Sequence, residues 1–314
     1  MLLECLAAVS RLDPPPCRVI VAIDGGCTKV AAEAREKGFE SLPLASAPGV
    51  SATRNAGAAL ADSTFIAFLD SDVVPEKDHI EKALKAMRSQ PRTVAAFGSY
   101  DDAPASPGLI SRYRNLLHHF THQHAKRDAQ SFWAACGVCE AEVFRSVGGY
   151  DESYRVPSIE DIALGYKLRR AGHRITLDPS WQIKHLKKWT WRDLVFTDIF
   201  RRAIPWTSLL LREGRLDNDL NIDNRSRLSA LLVVAFLASL PGGVISSWLL
   251  LLPAAFLGGA IFLNRRFYRF LAAKGGWAFS IASIPLHLFY YLAAVTGYGI
   301  AKIRFHFSVR HPPA

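Results

Sequence analysis

Over the first 190 or so positions, short apolar runs alternate with stretches in which apolar residues recur at helical spacing. Phe65-Ile66-Ala67-Phe68-Leu69 is the clearest run, and it stops abruptly at Asp70-Ser71-Asp72. It is long enough for a buried strand and too short for a helix. Similar runs predict strands over Arg18–Ile23, ending at Asp24, over Ser41–Leu44 and over Thr93–Tyr100. Helical spacing marks Leu2–Leu12, Lys29–Lys37, Ala52–Leu60 and Glu76–Ser89. From Pro104 to about residue 130 a loop and a helix are expected. Next come a short helix at Glu142–Val147, a strong one at Ile162–Ala171 closed by Gly172, and strands at His173–Leu177 and Ile183–His185. This alternation predicts an α/β fold with a mostly parallel sheet covered on both faces. Ligands in such folds sit beyond the carboxyl ends of strands, where Asp24 and Asp70 both fall.

After Leu228 the pattern changes. Leu228–Leu263 is apolar for about 36 residues, broken by Pro241-Gly242-Gly243 and Pro253, against about 20 needed for one span. A hairpin of two short spans is expected there, and a further span over Ala278–Ile303. Asn264–Gly276, with Arg265, Arg266, Arg269 and Lys274, reads as a cytosolic loop under the positive-inside rule. Three spans would carry Arg304 and Arg310 to the other side, so the count stays at two or three. Trp189–Arg212 mixes Trp191, Phe196, Phe200 and Trp206 with Arg192, Arg201, Arg202 and Arg212. That composition suits helices lying in a membrane interface, and equally helices packed on a sheet. The expected organisation is a catalytic domain over 1–190, interface helices over 191–227 and an all-α membrane region over 228–314.

The 314 residues are 50% hydrophobic with a net charge of +10, and the excess hydrophobicity lies in the C-terminal third. The basic residues flank the apolar segments, a membrane-facing footprint. No helix-turn-helix, RNP or zinc-finger pattern is present, so nucleic acid is not an expected partner. Five scattered cysteines make no disulfide framework and favour a reducing, cytosolic catalytic domain. Cys136-Gly-Val-Cys139 has the spacing of a zinc knuckle, but without a second pair free thiols in a turn are expected. His118 and His122, four apart, lack an acidic partner and are expected on an exposed or interfacial helix.

The chemistry concentrates in the carboxylates. A strand emptying into Asp70-Ser71-Asp72 can converge two acids on one Mg²⁺ or Mn²⁺, leaving positions for water and substrate phosphates. Glu160 and Asp161 open a helix, where they suit its dipole or place a base at the mouth of a site. An apolar strand before Asp70-Ser71-Asp72-Val73-Val74 also suits a phosphohydrolase of the haloacid-dehalogenase type, with Asp70 as nucleophile.

Several segments together resemble the family 2 glycosyltransferases of GT-A fold, over roughly residues 2 to 190. They are Asp24-Gly25-Gly26-Cys27-Thr28, Gly49-Val50-Ser51-Ala52-Thr53-Arg54-Asn55-Ala56-Gly57, Asp70-Ser71-Asp72, Trp133–Gly137, Val147–Glu152 and Glu160-Asp161 before Leu164, Leu168, Arg169 and Gly172. The resemblance implies an inverting transfer of one sugar from a UDP-sugar or GDP-sugar, with Mn²⁺ or Mg²⁺ at Asp72, and Asp70 contacting ribose or metal-bound water. It further implies Asp24 at the base, Arg54 near the donor phosphates or under the sheet, Asp161 as general base and Glu160 positioning the acceptor. His185 resembles the histidine that contacts metal or diphosphate late in many such domains. With the apolar segments, this points to a lipid or lipid-linked acceptor and to an integral membrane protein, such as one of a bacterial inner membrane, with its catalytic domain in the cytosol.

Two departures stand out. Family members begin with a strand that lines the base pocket, whereas this chain starts in the following helix. The expectation is a sheet lacking its first strand, and a native protein about 20 residues longer, one strand plus its loop. The Gln-x-x-Arg-Trp of polymerising synthases is replaced by Asp198-Ile199-Phe200-Arg201-Arg202 with Trp206 displaced, which implies single transfer. A non-catalytic membrane scaffold that kept the fold is the remaining alternative.

Overall fold

The structure, a computed structural model, describes residues 1–214, 220 and 222–310. Residues 215–219 and 221 of the expected interface segment, and 311–314 of the basic tail, lie outside the described residues. The chain divides into two compact units: Met1–Ser106 with Thr121–Lys187, and Pro107–Phe120 with Lys188–Ala314.

The first unit runs α1 (Leu2–Val9), β1 (Ile20–Asp24), α2 (Thr28–Glu36), β2 (Glu40–Leu44), α3 (Val50–Ala59), β3 (Phe65–Leu69), β4 (Val73–Pro75), α4 (His79–Arg88) and β5 (Thr93–Tyr100). After α5 (Leu109–His124), whose residues up to Phe120 belong to the second unit, come β6 (Asp128–Ala129), β7 (Cys136–Glu140), α6 (Ala141–Ser146), α7 (Glu160–Arg170) and β8 (Arg174–His185). The strands form two sheets. β1 and β2 pair parallel as one. The other has the order β3-β7-β5-β8-β4, with β6 also on β8. Parallel pairing among the described residues is confined to β1–β2 and β5–β8, so the α/β architecture carries a mixed sheet.

β5 lies in the middle of the larger sheet and is buried at every position. Its small residues let its neighbours approach: a Cβ on Gly98 would collide with the Trp181 carbonyl and the Cys136 sulfur. Trp181, Val138, Ile183, Ala96 and Met87 form the core between this sheet and α4. Each fully buried large aliphatic or aromatic side chain there contributes roughly 1.5–3 kcal/mol. Cys5 and Val9 of α1, with Leu12 just beyond it, pack against Val19 and Phe39, which lead into β1 and β2, and against Leu69 at the end of β3.

Several local expectations are corrected. Cys136 and Cys139 sit in β7, buried and unbridged, and not in a turn. Burial pushes both thiols up, Cys139 to about 12, so neither is poised as a thiolate ligand. The two strands expected at residues 173–177 and 183–185 are one strand, β8, carried through Asp178-Pro179-Ser180 with a register shift against β5. Residues 73–75 pair as an edge strand, and α4 begins only at His79. His122 is buried between Phe97 and Trp133, ring centroids 5.8 and 4.9 Å away.

In the second unit, α8 (Trp191–Phe196) starts in a capping box in which the Thr190 hydroxyl accepts from Asp193 N–H. It continues as a π-helical stretch, Thr197–Ala203, into α9 (Ile204–Glu213). Asp198, on that π-helical stretch, meets Arg114 of α5 at 2.7 Å in a pair only 4% and 2% exposed. His118 meets Arg202 at 3.0 Å and buried His119 stacks on Phe270, so this helix is not an exposed one. Then follow α10 (Asn224–Ser239), α11 (Gly242–Ile245), a 3-10 turn (Ser247–Leu250), α12 (Leu251–Leu263), α13 (Arg265–Ala282) and α14 (Ile284–Arg310). Among the described residues two stretches, Asn224–Ile245 and Ile284–Phe307, are long and apolar enough to cross a membrane. Ser247–Leu263 and Arg265–Ala282, bent by 67°, make a third if the pair is one span. The loop expected at Asn264–Gly276 is instead helical, with a kink at Gly276. Asn264 ties these helices together, donating to Ser229 Oγ at 2.9 Å and accepting from the Tyr291 hydroxyl at 3.0 Å.

Candidate active site

Strand register builds the first half of the site. β4 runs antiparallel to β8 with Val73 opposite His185, and Leu186 N–H donates to the Asp72 carbonyl at 2.8 Å. The ladder therefore holds Asp72 beside His185, whose Nε2 lies 3.5 Å from Asp72 Oδ2. His185 is itself fixed by stacking on Tyr100, centroids 4.2 Å apart and planes 11° apart. Burial alone would raise the Asp72 carboxyl, but the hydrogen bond and charge of His185, with Lys187, hold it below the usual carboxylate range. Cys5 of α1 donates to the Asp70 carbonyl at 3.6 Å. Burial, reinforced by the charges of Asp72 and Asp70, pushes its thiol up to about 11.

Asp70, directly after β3, turns to a different partner. Arg54 of α3 donates Nη2–H to Asp70 Oδ1 and Nη1–H to Glu160 Oε1, both at 2.7 Å. The guanidinium lies over the Tyr150 ring, 5.5 Å from its centroid. Burial would lower the Arg54 pKa, but Asp70, Tyr150 and Glu160 outweigh it and keep the cation locked in its charged form. The neighbouring Asn55 clamps Tyr150 reciprocally, Nδ2–H to its carbonyl and Oδ1 from its N–H, both at 2.9 Å. Thr53-Arg54-Asn55 and Gly148-Gly149-Tyr150 are thus one assembly. α3 can start where it does because Gly49 has φ +100°, and a Cβ there would run into the backbone of Arg155.

Asp161 is the other acid of the first turn of α7. Its Oδ2 accepts from Ala134 N–H at 3.4 Å and its Oδ1 from Ile162 N–H at 2.8 Å. It is half-buried, whereas Glu160 beside it is buried. Asp24, exposed at the end of β1, accepts from Gly49 N–H at 3.1 Å. All seven sequence-derived residues lie in the first unit, and three groupings result: Asp72 with His185, Asp70 and Glu160 on Arg54, and Asp161 on the loop before β7. The Tyr150 hydroxyl, fully buried and without a hydrogen-bond partner, was not singled out beforehand. Its place beside the Gly-Gly turn was the available signal.

Residues 1–147 match the family model described as glycosyl transferase family 2. The amino-terminal part of the chain is thus similar to family 2 glycosyltransferases. The chain is similar to the pre-mycofactocin glycosyltransferase of two strains of Mycobacterium tuberculosis, 29% identical over 198 residues, covering 58% of this chain and 40% of those. The chain thus spans less than half the length of the curated relatives it matches. Among solved structures, a mannosyltransferase from Pyrobaculum calidifontis, in complex with GDP-Man and Mn²⁺, resembles it with a TM-score of 0.55. At 13% identity, over 94% of this chain and 82% of that one, this likeness shows the GT-A fold alone.

Proposed function

We propose that this chain transfers a single sugar, with inversion, from a nucleotide-sugar donor (a UDP-sugar or GDP-sugar) to a lipid or lipid-linked acceptor at the cytosolic face of a membrane. The observation that supports the reading is the pairing of Asp72 with His185, together with an Asp161 held by backbone N–H groups in the same compact unit. Asp161 takes the acceptor hydroxyl proton as the oxygen attacks the anomeric carbon and the bond to the diphosphate breaks. A single displacement of this kind inverts the anomeric centre. Asp24, at the open end of β1, contributes to the base side of the donor pocket.

A carboxylate oxygen and an imidazole nitrogen within 3.5 Å fit a hard or borderline cation such as Mn²⁺ or Mg²⁺. Among the described residues no group of three or more His, Cys, Asp or Glu surrounds a common point. Water and donor oxygens would then fill the remaining positions, as is usual for Mg²⁺ at phosphates. The bound ion supplies charge neutralisation to the departing diphosphate. The fold neighbour solved with GDP-Man and Mn²⁺ supports this reading, and the two apolar helices support a membrane-bound acceptor.

The test is a panel of UDP- and GDP-sugars offered with Mn²⁺ and membrane lipid to the detergent-purified chain. Release of nucleoside diphosphate dependent on one donor, lost on chelation, is expected. No release from any donor would refute the enzyme reading and favour a scaffold.

A further inference from the structure

The surroundings of Arg54 are not those of a phosphate ligand. Both terminal nitrogens are engaged by carboxylates at 2.7 Å, and one face of the guanidinium is covered by Tyr150. A donor phosphate would have to displace one of these partners. The two carboxylates are unequal. The Glu160 side chain is 5% exposed and its second oxygen accepts from Ser158 N–H at 2.7 Å, so it is anchored at both ends. The Asp70 side chain is 35% exposed and has Arg54 on one oxygen. Successive residues on a helix point about 100° apart, so Glu160 and Asp161 cannot both face the acceptor. Glu160 has gone inward to Arg54, and Asp161 to the loop before β7.

We infer that Glu160 and Arg54 form a buried strut that fixes the orientation of Asp70, making them positioning residues of the nucleotide and metal site; neither touches the acceptor or the donor phosphates. The inference rests on the donor-site reading above. It also makes the first turn of α7 a shared mount, with the strut on one residue and the proposed base on the next. Without the Glu160 charge, Arg54 is left to Asp70 alone and draws that carboxylate away from the donor. Residues that orient a metal site from behind typically change its affinity 10–100-fold.

The experiment titrates Mn²⁺, followed by its paramagnetic signal, into the full chain in detergent with UDP or GDP present. It uses wild type, Glu160→Gln, Arg54→Lys and the double variant, and the melting temperature of each is recorded without ligand. Each single variant is expected to weaken nucleotide-dependent Mn²⁺ binding by at least about tenfold, with the double variant no worse than the weaker single one. If Glu160→Gln melts below the assay temperature, Arg54→Lys carries the same test. Unchanged affinity in folded single variants, or effects that multiply in the double variant, overturns the strut alone. Wild-type protein that binds Mn²⁺ with neither nucleotide overturns the donor-site reading and the strut with it.

Discussion

Acid should destabilise the first unit through one buried histidine. His79, at the start of α4, is 1% exposed, and its Nδ1 accepts a hydrogen bond from the Trp181 indole N–H at 2.9 Å. Nδ1 therefore carries no proton, and Nε2 is buried without a partner. Protonation would break the indole bond and bury an uncompensated charge. Burial accordingly pushes the His79 pKa down from 6.5 to about 4, with only a partial opposing effect from Asp78. Between those values the unfolded chain binds more protons than the folded one, so stability rises with pH. The contribution is complete above the unfolded pKa and is lost as pH falls towards the folded one. At about 1.4 kcal/mol per pKa unit, the loss is roughly 2 kcal/mol by about pH 5 and roughly 3 kcal/mol by about pH 4.

Carboxylates titrate over the same range, so the assay is a difference. Denaturant unfolding of wild type and His79→Asn, whose side-chain oxygen can accept the indole bond without titrating, is followed from about pH 8 to about pH 4. The stability gap should shift against wild type by roughly 3 kcal/mol at the acid end. A gap that stays flat with pH would refute the argument.

Asp161→Asn should lower nucleoside diphosphate release about 10²–10⁴-fold while Mn²⁺-dependent nucleotide binding survives, as turnover and titration of one preparation would report. Gly49→Ala should cost roughly 1–3 kcal/mol from backbone strain alone, and more from collision with Arg155. Gly38→Ala, also at positive φ but with nothing within 4 Å, should lose only the strain, and paired denaturant melts separate the two. Arg114→Leu should destabilise the second unit by about 3–5 kcal/mol by stranding buried Asp198, and adding Asp198→Leu should restore most of that loss. Thermal melts of the single and double variants check it.

Where a local pattern governs, the sequence is readable. β3 is announced by an apolar run meeting two acids, and α7 by its acidic first turn and closing Gly172. Where partners decide, it is not. β7 reads as a turn because Cys-Gly-Val-Cys has no alternation, yet a central strand buried on both faces needs none. Asp178-Pro179-Ser180 carries turn chemistry, but pairing with β5 on both sides holds it in one strand. Val73–Pro75 is too short to show a period, and only β8 makes it a strand. The site divides in the same way. Asp70, Asp72, Glu160 and Asp161 are legible as acids in telling positions. That Arg54 would bind two of them, and that Tyr150 would sit beneath it, depends on residues far apart in sequence meeting in space.

The separation of the first unit into two sheets has a consequence for association. β1 has β2 as its sole partner strand among the described residues, and β3 has β7, so each strand keeps one flank of backbone amides and carbonyls unladdered. Both flanks are apolar in sequence, Ile20–Ile23 and Phe65–Leu69, and α1 spans from the lead-in to one to the end of the other. Such rows are templates: an extended apolar segment laid alongside gains a ladder. Any polypeptide able to supply that segment, from this chain or another, therefore competes for the same two rows. The outcome would decide whether the unit stays monomeric at high concentration or joins edge to edge.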